Sequence, residues 1–131
     1  MKKTATHKNL TATNIRYLVT MRELNQSGRG VRSVELASAL GVSKPSIHNM
    51  MDTLIERGLT QKNAYGSVAF TDIGSETALR YSRYFASVAA MLCNSFPNME
   101  DVRPAAFALL SEIPESCLAE LCERQEPNAE A

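Results

Sequence analysis

Val34-Glu35-Leu36-Ala37-Ser38-Ala39-Leu40-Gly41-Val42-Ser43-Lys44-Pro45-Ser46-Ile47-His48-Asn49-Met50-Met51 is the stretch that decides the fold. It reads as a short helix, a glycine turn and a second helix. Val34, Ala37 and Leu40 recur at helical spacing and are expected to share the inward face of the first helix, with Ser33 as its N-cap. Gly41 supplies the positive φ where that helix stops. Ser43 is placed to cap the next helix, and Pro45 falls in its first turn, where a missing N–H costs nothing. Ile47, Met51 and Leu54 then point inward, leaving Lys44, Ser46, His48, Asn49 and Asp52 outward. Two helices so joined make a helix-turn-helix, whose second helix is shaped to enter a major groove.

The flanking sequence extends this unit. A helix is expected from Thr11 or Thr13, with Ile15, Leu18, Val19 and Arg22 on one stripe and Tyr17, Met21 and Leu24 on another. It stops at Ser27-Gly28-Arg29-Gly30, two glycines around an arginine, which reads as a plain helix stop and turn, with a phosphate-gripping loop as the alternative. The second helix of the motif runs to about Arg57 and ends at Gly58. Leu59–Lys62 and Ser67–Thr71, around Asn63-Ala64-Tyr65-Gly66, read as a hairpin. A hairpin in that position is the wing of a winged helix. Its tip offers Lys62, Asn63 and Tyr65 to a nucleic-acid backbone or minor groove.

Beyond the wing the chain is helical. Ser75 to Asn94 carries the stripe Tyr81, Tyr84, Phe85, Val88, Met91 and Leu92. A second helix is expected over Val102–Ile113 with Asp101 as N-cap. A third runs from Glu115 to about Glu123, with Leu118 and Leu121 inward. Three such helices leave more apolar stripe than one small domain covers, so a two-fold dimer is expected. The domain reading is a mobile basic arm over 1–10, a winged helix-turn-helix with a two-stranded wing over 11–74, a helical dimerisation region over 75–124, and a tail over 125–131. The fold class is therefore mainly α.

Charge supports a polyanionic partner. The 131-residue chain has zero net charge, but residues 1–66 hold ten basic side chains against four acidic ones, and the remainder reverses the ratio. The basic half coincides with the helix-turn-helix. Arg32, Ser43, Lys44, Pro45, Ser46, His48, Asn49, Lys62, Asn63 and Tyr65 are the expected contacts to double-stranded DNA. No secretory signal follows Lys2 and Lys3, and no apolar run is long enough for a bilayer. Three cysteines without framework spacing suit a reducing, cytoplasmic setting. Cys117 and Cys122 project about 140° apart around a helix and do not converge on one ion. No nucleophile–base pair or phosphate loop is present, so an enzyme is not expected.

The order of these elements resembles the DtxR/MntR family of iron- or manganese-dependent bacterial repressors. The resemblance rests on the first helix with Tyr17 and Leu24, the helix-turn-helix and the Gly58-Leu59 strand entry. It rests also on the Thr71-x-x-Gly74 wing exit and the Pro114-Glu115-Ser116 entry to the last helix. It implies that Ser43, Pro45 and Asn49 face DNA. It also implies a metal switch, whose ligand positions fall here on Arg16, Val19, Phe85, Phe107, Leu110 and Ser111, with Ala89 and Arg103 at a second site. Arginine, valine, phenylalanine and leucine do not ligate divalent cations, so no cofactor is expected. Tyr81, Tyr84, Phe85, Val88, Met91, Phe107 and Leu110 are left as a dimer interface or the lining of an organic-effector pocket. The readings are thus a dimeric repressor with its metal ligands lost, a small-molecule-sensing regulator like the multiple-antibiotic-resistance type, and a winged-helix protein-interaction module.

Overall fold

The computed structural model describes residues 10–63 and 66–125. The expected arm up to Asn9, Tyr65 at the wing tip and the tail from Glu126 lie outside these described residues. In chain order the elements are α1 (Ala12–Leu24), β1 (Val31–Arg32), α2 (Ser33–Leu40), α3 (Lys44–Glu56), β2 (Thr60–Lys62), β3 (Ser67–Phe70), α4 (Asp72–Ser95), α5 (Arg103–Glu112) and α6 (Glu115–Gln125). The chain is mainly helical with one small antiparallel sheet, the architecture expected of a winged helix. It divides into two compact units, a winged unit over Arg16–Leu79 and a helical unit made of residues up to Ile15 together with those from Arg80 onward.

Local chemistry explains where each element of the winged unit begins and ends. Thr11 and Asn14 cap α1 reciprocally: Thr11 Oγ1 accepts the Asn14 N–H at 3.0 Å, and Asn14 Oδ1 accepts the Thr11 N–H at 3.0 Å. Tyr17, Leu18, Val19 and Met21 are all buried, so α1 is covered on more than one side, as its two stripes require. At the end of α2, Gly41 has φ of 69° and its N–H reaches the Ala37 carbonyl.

The inward face of α2 differs from the sequence reading. Leu36 and Leu40 are buried, whereas Val34 is 58% exposed. Val34 and Leu36 lie about 200° apart around a helix, so both cannot face the core, and the larger Leu36–Leu40 pair takes it. Nor is Ser33 the N-cap. Arg32 occupies that position with extended φ and ψ of −82° and 146°, because it also ends a strand. Its N–H is accepted by Glu35 Oε1 at 3.1 Å.

That strand enlarges the wing. The expected two-stranded hairpin is a three-stranded sheet in the order β1-β3-β2, with Val31 opposite Val68 and Arg32 opposite Ser67. Lys62 pairs with Val68 and Thr60 with Phe70 across the hairpin. Two residues are too few to show a period, which is why β1 is invisible in sequence.

The wing exit is a compact device. Thr71 Oγ1 donates to the Gly58 carbonyl at 2.6 Å and accepts the Gly74 N–H at 3.0 Å. The Thr71 N–H reaches the Leu59 carbonyl at 3.1 Å. One hydroxyl therefore fastens the turn after α3 to the start of α4, which begins at Asp72 rather than Ser75. Gly74 lies so close to Leu59 that a Cβ would sit 1.7 Å from its carbonyl oxygen; only glycine fits.

In the helical unit, Tyr81, Tyr84, Val88 and Leu92 of α4 are buried, as are Ala106, Phe107 and Leu110 of α5. Val102, not Asp101, is the N-cap of α5, and Asp101 Oδ1 instead accepts the Arg103 N–H at 3.1 Å. α6 opens on the Pro114 carbonyl, which accepts the N–H groups of Cys117 and Leu118. Its buried residues are Leu118 and Cys122; Leu121, expected inward, is only half-buried, since Cys122 is the residue one turn from Leu118.

Candidate nucleic-acid interface

The outward face of α3 is built from its cap. Ser43 is extended at φ −80° and ψ 163°, and its Oγ accepts the Ser46 N–H at 3.3 Å while meeting the Ser46 hydroxyl at 3.1 Å. Pro45 stands in the first turn. Ile47, Met51 and Leu54 are buried along one side. Lys44, Pro45, Ser46, His48, Asn49 and Asp52 are exposed on the other. An amide, an imidazole, hydroxyls and an ammonium are thus presented by two turns of a rigidly backed helix. The Asn amide can pair with both N6 and N7 of an adenine, and the ammonium can meet a phosphate or a guanine edge.

The sheet adds a second surface. Arg32 is exposed at the end of β1, and Lys62 and Asn63 are exposed at the end of β2. The Asn63 N–H closes the wing turn on the Ser67 carbonyl at 2.8 Å. The Ser27–Gly30 turn is more organised than a plain helix stop. Asn25 Oδ1 accepts the Gly30 N–H at 2.8 Å, Ser27 Oγ accepts the Arg29 N–H at 3.4 Å, and the Asn25 carbonyl accepts the Gly28 N–H at 3.3 Å. Gly30 has φ of 97°, and a Cβ there would come within 3.0 Å of the Val68 carbonyl and 3.2 Å of Asn63 Nδ2. The turn and the base of the wing enclose an open cleft of about 670 Å³ that includes Arg29, Arg32, Asn63 and Ser67. Sequence reading weighs a phosphate-gripping loop at this turn but ranks a plain helix stop above it, leaving Ser27 and Arg29 out of the expected contacts. Their signal was an arginine between two glycines with Asn25 ahead of it.

The helical unit holds the expected interface or pocket residues. Phe85 stacks on Phe107 with ring centroids 4.5 Å apart and planes at 21°. The Arg103 guanidinium lies 5.1 Å and 5.6 Å from the two ring centres, within cation–π range. Tyr81 meets Tyr84 edge-on at 5.2 Å. Glu115 Oε2 accepts both Arg80 Nε at 2.6 Å and the Tyr84 hydroxyl at 2.8 Å. Burial, and then the hydrogen bond to that carboxylate, push the Tyr84 phenol up to about 12. Tyr81, Tyr84, Val88, Phe107 and Leu110 are buried within a single chain, and Phe85 and Met91 are half-buried. One chain thus covers most of these stripes. Tyr81 and Leu110 do line a cavity of about 420 Å³ with Leu10, Glu112, Ile113 and Glu115.

Residues 4–73 match a family described as a domain of unknown function, DUF8462. The chain belongs to the DUF8462 family. No curated protein matches this DUF8462 chain. In fold it is similar to solved regulators. The manganese regulator SloR superposes with a TM-score of 0.70 at 19% identity, over 84% of this chain and 51% of that one. The metal-dependent transcriptional regulator MtsR gives 0.72 at 17% identity, over 86% and 53%. IdeR of T. acidophilum gives 0.67 at 21% identity, over 84% and 52%. The DUF8462 chain thus spans about half the length of these structures, and the proteins it resembles are regulators rather than enzymes.

Metal dependence in such relatives poses a test for the DUF8462 chain. The Phe85–Phe107 stack with Arg103 over it offers no lone pair to an ion, and a guanidinium repels one. Among the described residues no three His, Cys, Asp or Glu side chains gather to hold a metal. Cys93 and Cys117 are exposed free thiols, and Cys122 is buried with its sulfur 3.2 Å from Ser87 Oγ. No helix among the described residues is long and apolar enough to cross a membrane.

Proposed function

We propose that this DUF8462 protein is a sequence-specific DNA-binding transcriptional regulator, acting as a homodimeric repressor without a divalent metal. One observation carries the reading: the polar start of α3, from Lys44 to Asn49, is exposed over the buried Ile47, Met51 and Leu54. Asn49 is assigned to base readout, with Ser46 and His48 beside it. Lys44, Arg32 and Lys62 are assigned to phosphates, and Asn63 to the backbone beside the major groove. The likeness in fold to regulators supports the same role. The aromatic–guanidinium cluster supports metal independence, because its side chains fill ligand positions with groups that cannot ligate.

Fluorescence anisotropy on genomic fragments tests the assignment. Wild-type protein is expected to select particular duplexes, with affinity falling steeply as salt rises. Asn49→Ala should lose about 1–3 kcal/mol of discrimination at one base position. Lys62→Ala should weaken every duplex about equally. If both variants keep wild-type affinity and specificity, the assignment is wrong. Failure of the wild type to bind any duplex would turn the exposed α3 face, with Asp52 and Glu56, into a protein-interaction surface.

The cavity beside Tyr81 and Leu110 favours a second reading, in which an organic effector tunes the regulator as in the multiple-antibiotic-resistance type. A ligand of that kind raises the melting temperature of the wild type, and Leu110→Trp, which fills the cavity, should abolish the rise.

A further inference from the structure

We infer that the cleft between the Ser27–Gly30 turn and the base of the wing is a clamp for one sugar–phosphate unit of a DNA strand, with Arg29 as its principal phosphate ligand. The inference rests on the DNA-binding reading above and adds a contact outside the recognition helix.

The chemistry of the cleft is that of an anion site. Two guanidinium groups, of Arg29 and Arg32, line it, and both residues are exposed. Neither side chain takes part in the Arg80–Glu115 salt bridge of the helical unit. The Ser27 and Ser67 hydroxyls and the Asn63 amide add uncharged donors. One carboxylate, Glu35, is present, but its Oε1 already accepts the Arg32 N–H. Two positive charges against one leave the cleft attractive to a phosphate.

Its construction shows why the arginines converge. Pairing of Arg32 with Ser67 carries one guanidinium to the sheet edge. The Asn25 side chain holds Gly30, where a Cβ would come to 3.0 Å of the Val68 carbonyl, tighter than most real contacts, and the φ of 97° favours glycine. The backbone at Arg29, next in the turn, is thereby set beside the wing before any ligand arrives, so only the side chain has to be ordered on binding. The remaining wall identifies the ligand more narrowly. Leu24, 40% exposed, gives the cleft an apolar side. A bare anion has no use for it, whereas a deoxyribose carried by the phosphate does.

Salt dependence of duplex binding is the test, read for wild type, Arg29→Ala, Arg29→Lys and Arg124→Ala. One lost phosphate contact should lower the slope of log K against log salt by about 0.9 and the affinity roughly eightfold at 0.1 M salt, for specific and random duplexes alike. Arg29→Lys should retain most of the slope. Arg124→Ala removes the same charge outside the winged unit and should leave the slope unchanged. An Arg29→Ala slope equal to wild type, or one matched by Arg124→Ala, overturns the clamp while leaving the regulator reading intact. The Gly30 amide resonance reports the source of the phosphate. It should shift on adding duplex and respond to inorganic phosphate only at far higher concentration. Saturation by inorganic phosphate as readily as by duplex, or failure of the wild type to bind duplex, would overturn the DNA assignment. In either case, a response of that amide to phosphate would mark a site for free phosphate.

Discussion

Gly74 shows how much one missing atom decides. Its Cα hydrogen faces the Leu59 backbone at a separation where a methyl group would overlap the carbonyl. The contested atoms are main chain, so no rotamer change relieves the clash. Gly74→Ala is expected to cost about 3 kcal/mol or more, beyond the usual range for overpacking against side chains. Gly41 is a different case: a Cβ there meets open space, and the cost lies only in its positive φ, about 1–2 kcal/mol. Urea midpoints of the two variants check the order. A Gly74→Ala protein as stable as wild type would mean that α4 does not enter the wing as described.

At the scale of elements, the sequence was most informative where a cap and a spacing agreed. Ser43, Pro45 and the Ile47-Met51-Leu54 spacing placed α3 and its outward residues because each signal is local. In α2 the apolar spacing points the wrong way, because the larger Leu36–Leu40 pair takes the core and leaves Val34 exposed. The clamp is half legible: an arginine between two glycines suggests a phosphate-gripping loop, but its neighbours Arg32, Asn63 and Ser67 are not visible from the sequence. Its residues come from three segments that only strand pairing brings together. Sequence likewise showed the stripes of α4 and α5 but not that one chain covers most of them.

The tie between α4 and α6 runs through Glu115, which holds both Arg80 and Tyr84. Tyr84 has its folded-state ionisation raised to about 12 from an ordinary 10.0. For an acid shifted upward, the neutral form is favoured by folding. Its stabilisation is therefore fully present below pH 10 and is lost as pH rises toward 12. Tyrosinate absorbance should show its last step near that upper limit in wild type. Tyr84→Phe should lack that step and show a weaker loss of stability across the same interval. An unchanged absorbance titration in the variant would disprove the assignment to Tyr84.

At the scale of the whole molecule, the proposed regulator is expected to work apart from metal chemistry. Duplex affinity is expected to change less than twofold on adding a strong chelator or excess manganese, iron or zinc, an energy of about 0.4 kcal/mol or below. Anisotropy titrations check this, and a large gain with any one metal would refute metal independence. Sedimentation on and off DNA checks the dimer. Ile73, Leu79 and Phe96 are large apolar residues left exposed and available to such an interface. A monomer in both conditions would require a regulator that reads a single half-site.

The unequal setting of the three thiols makes the helical unit its own stopwatch. Cys93 and Cys117 are open to a maleimide, while Cys122 is shut in beside Ser87. Two labels per chain therefore mark the closed unit and a third marks its opening. The interval between the second and third label, read by mass spectrometry, times a breathing motion with no probe introduced.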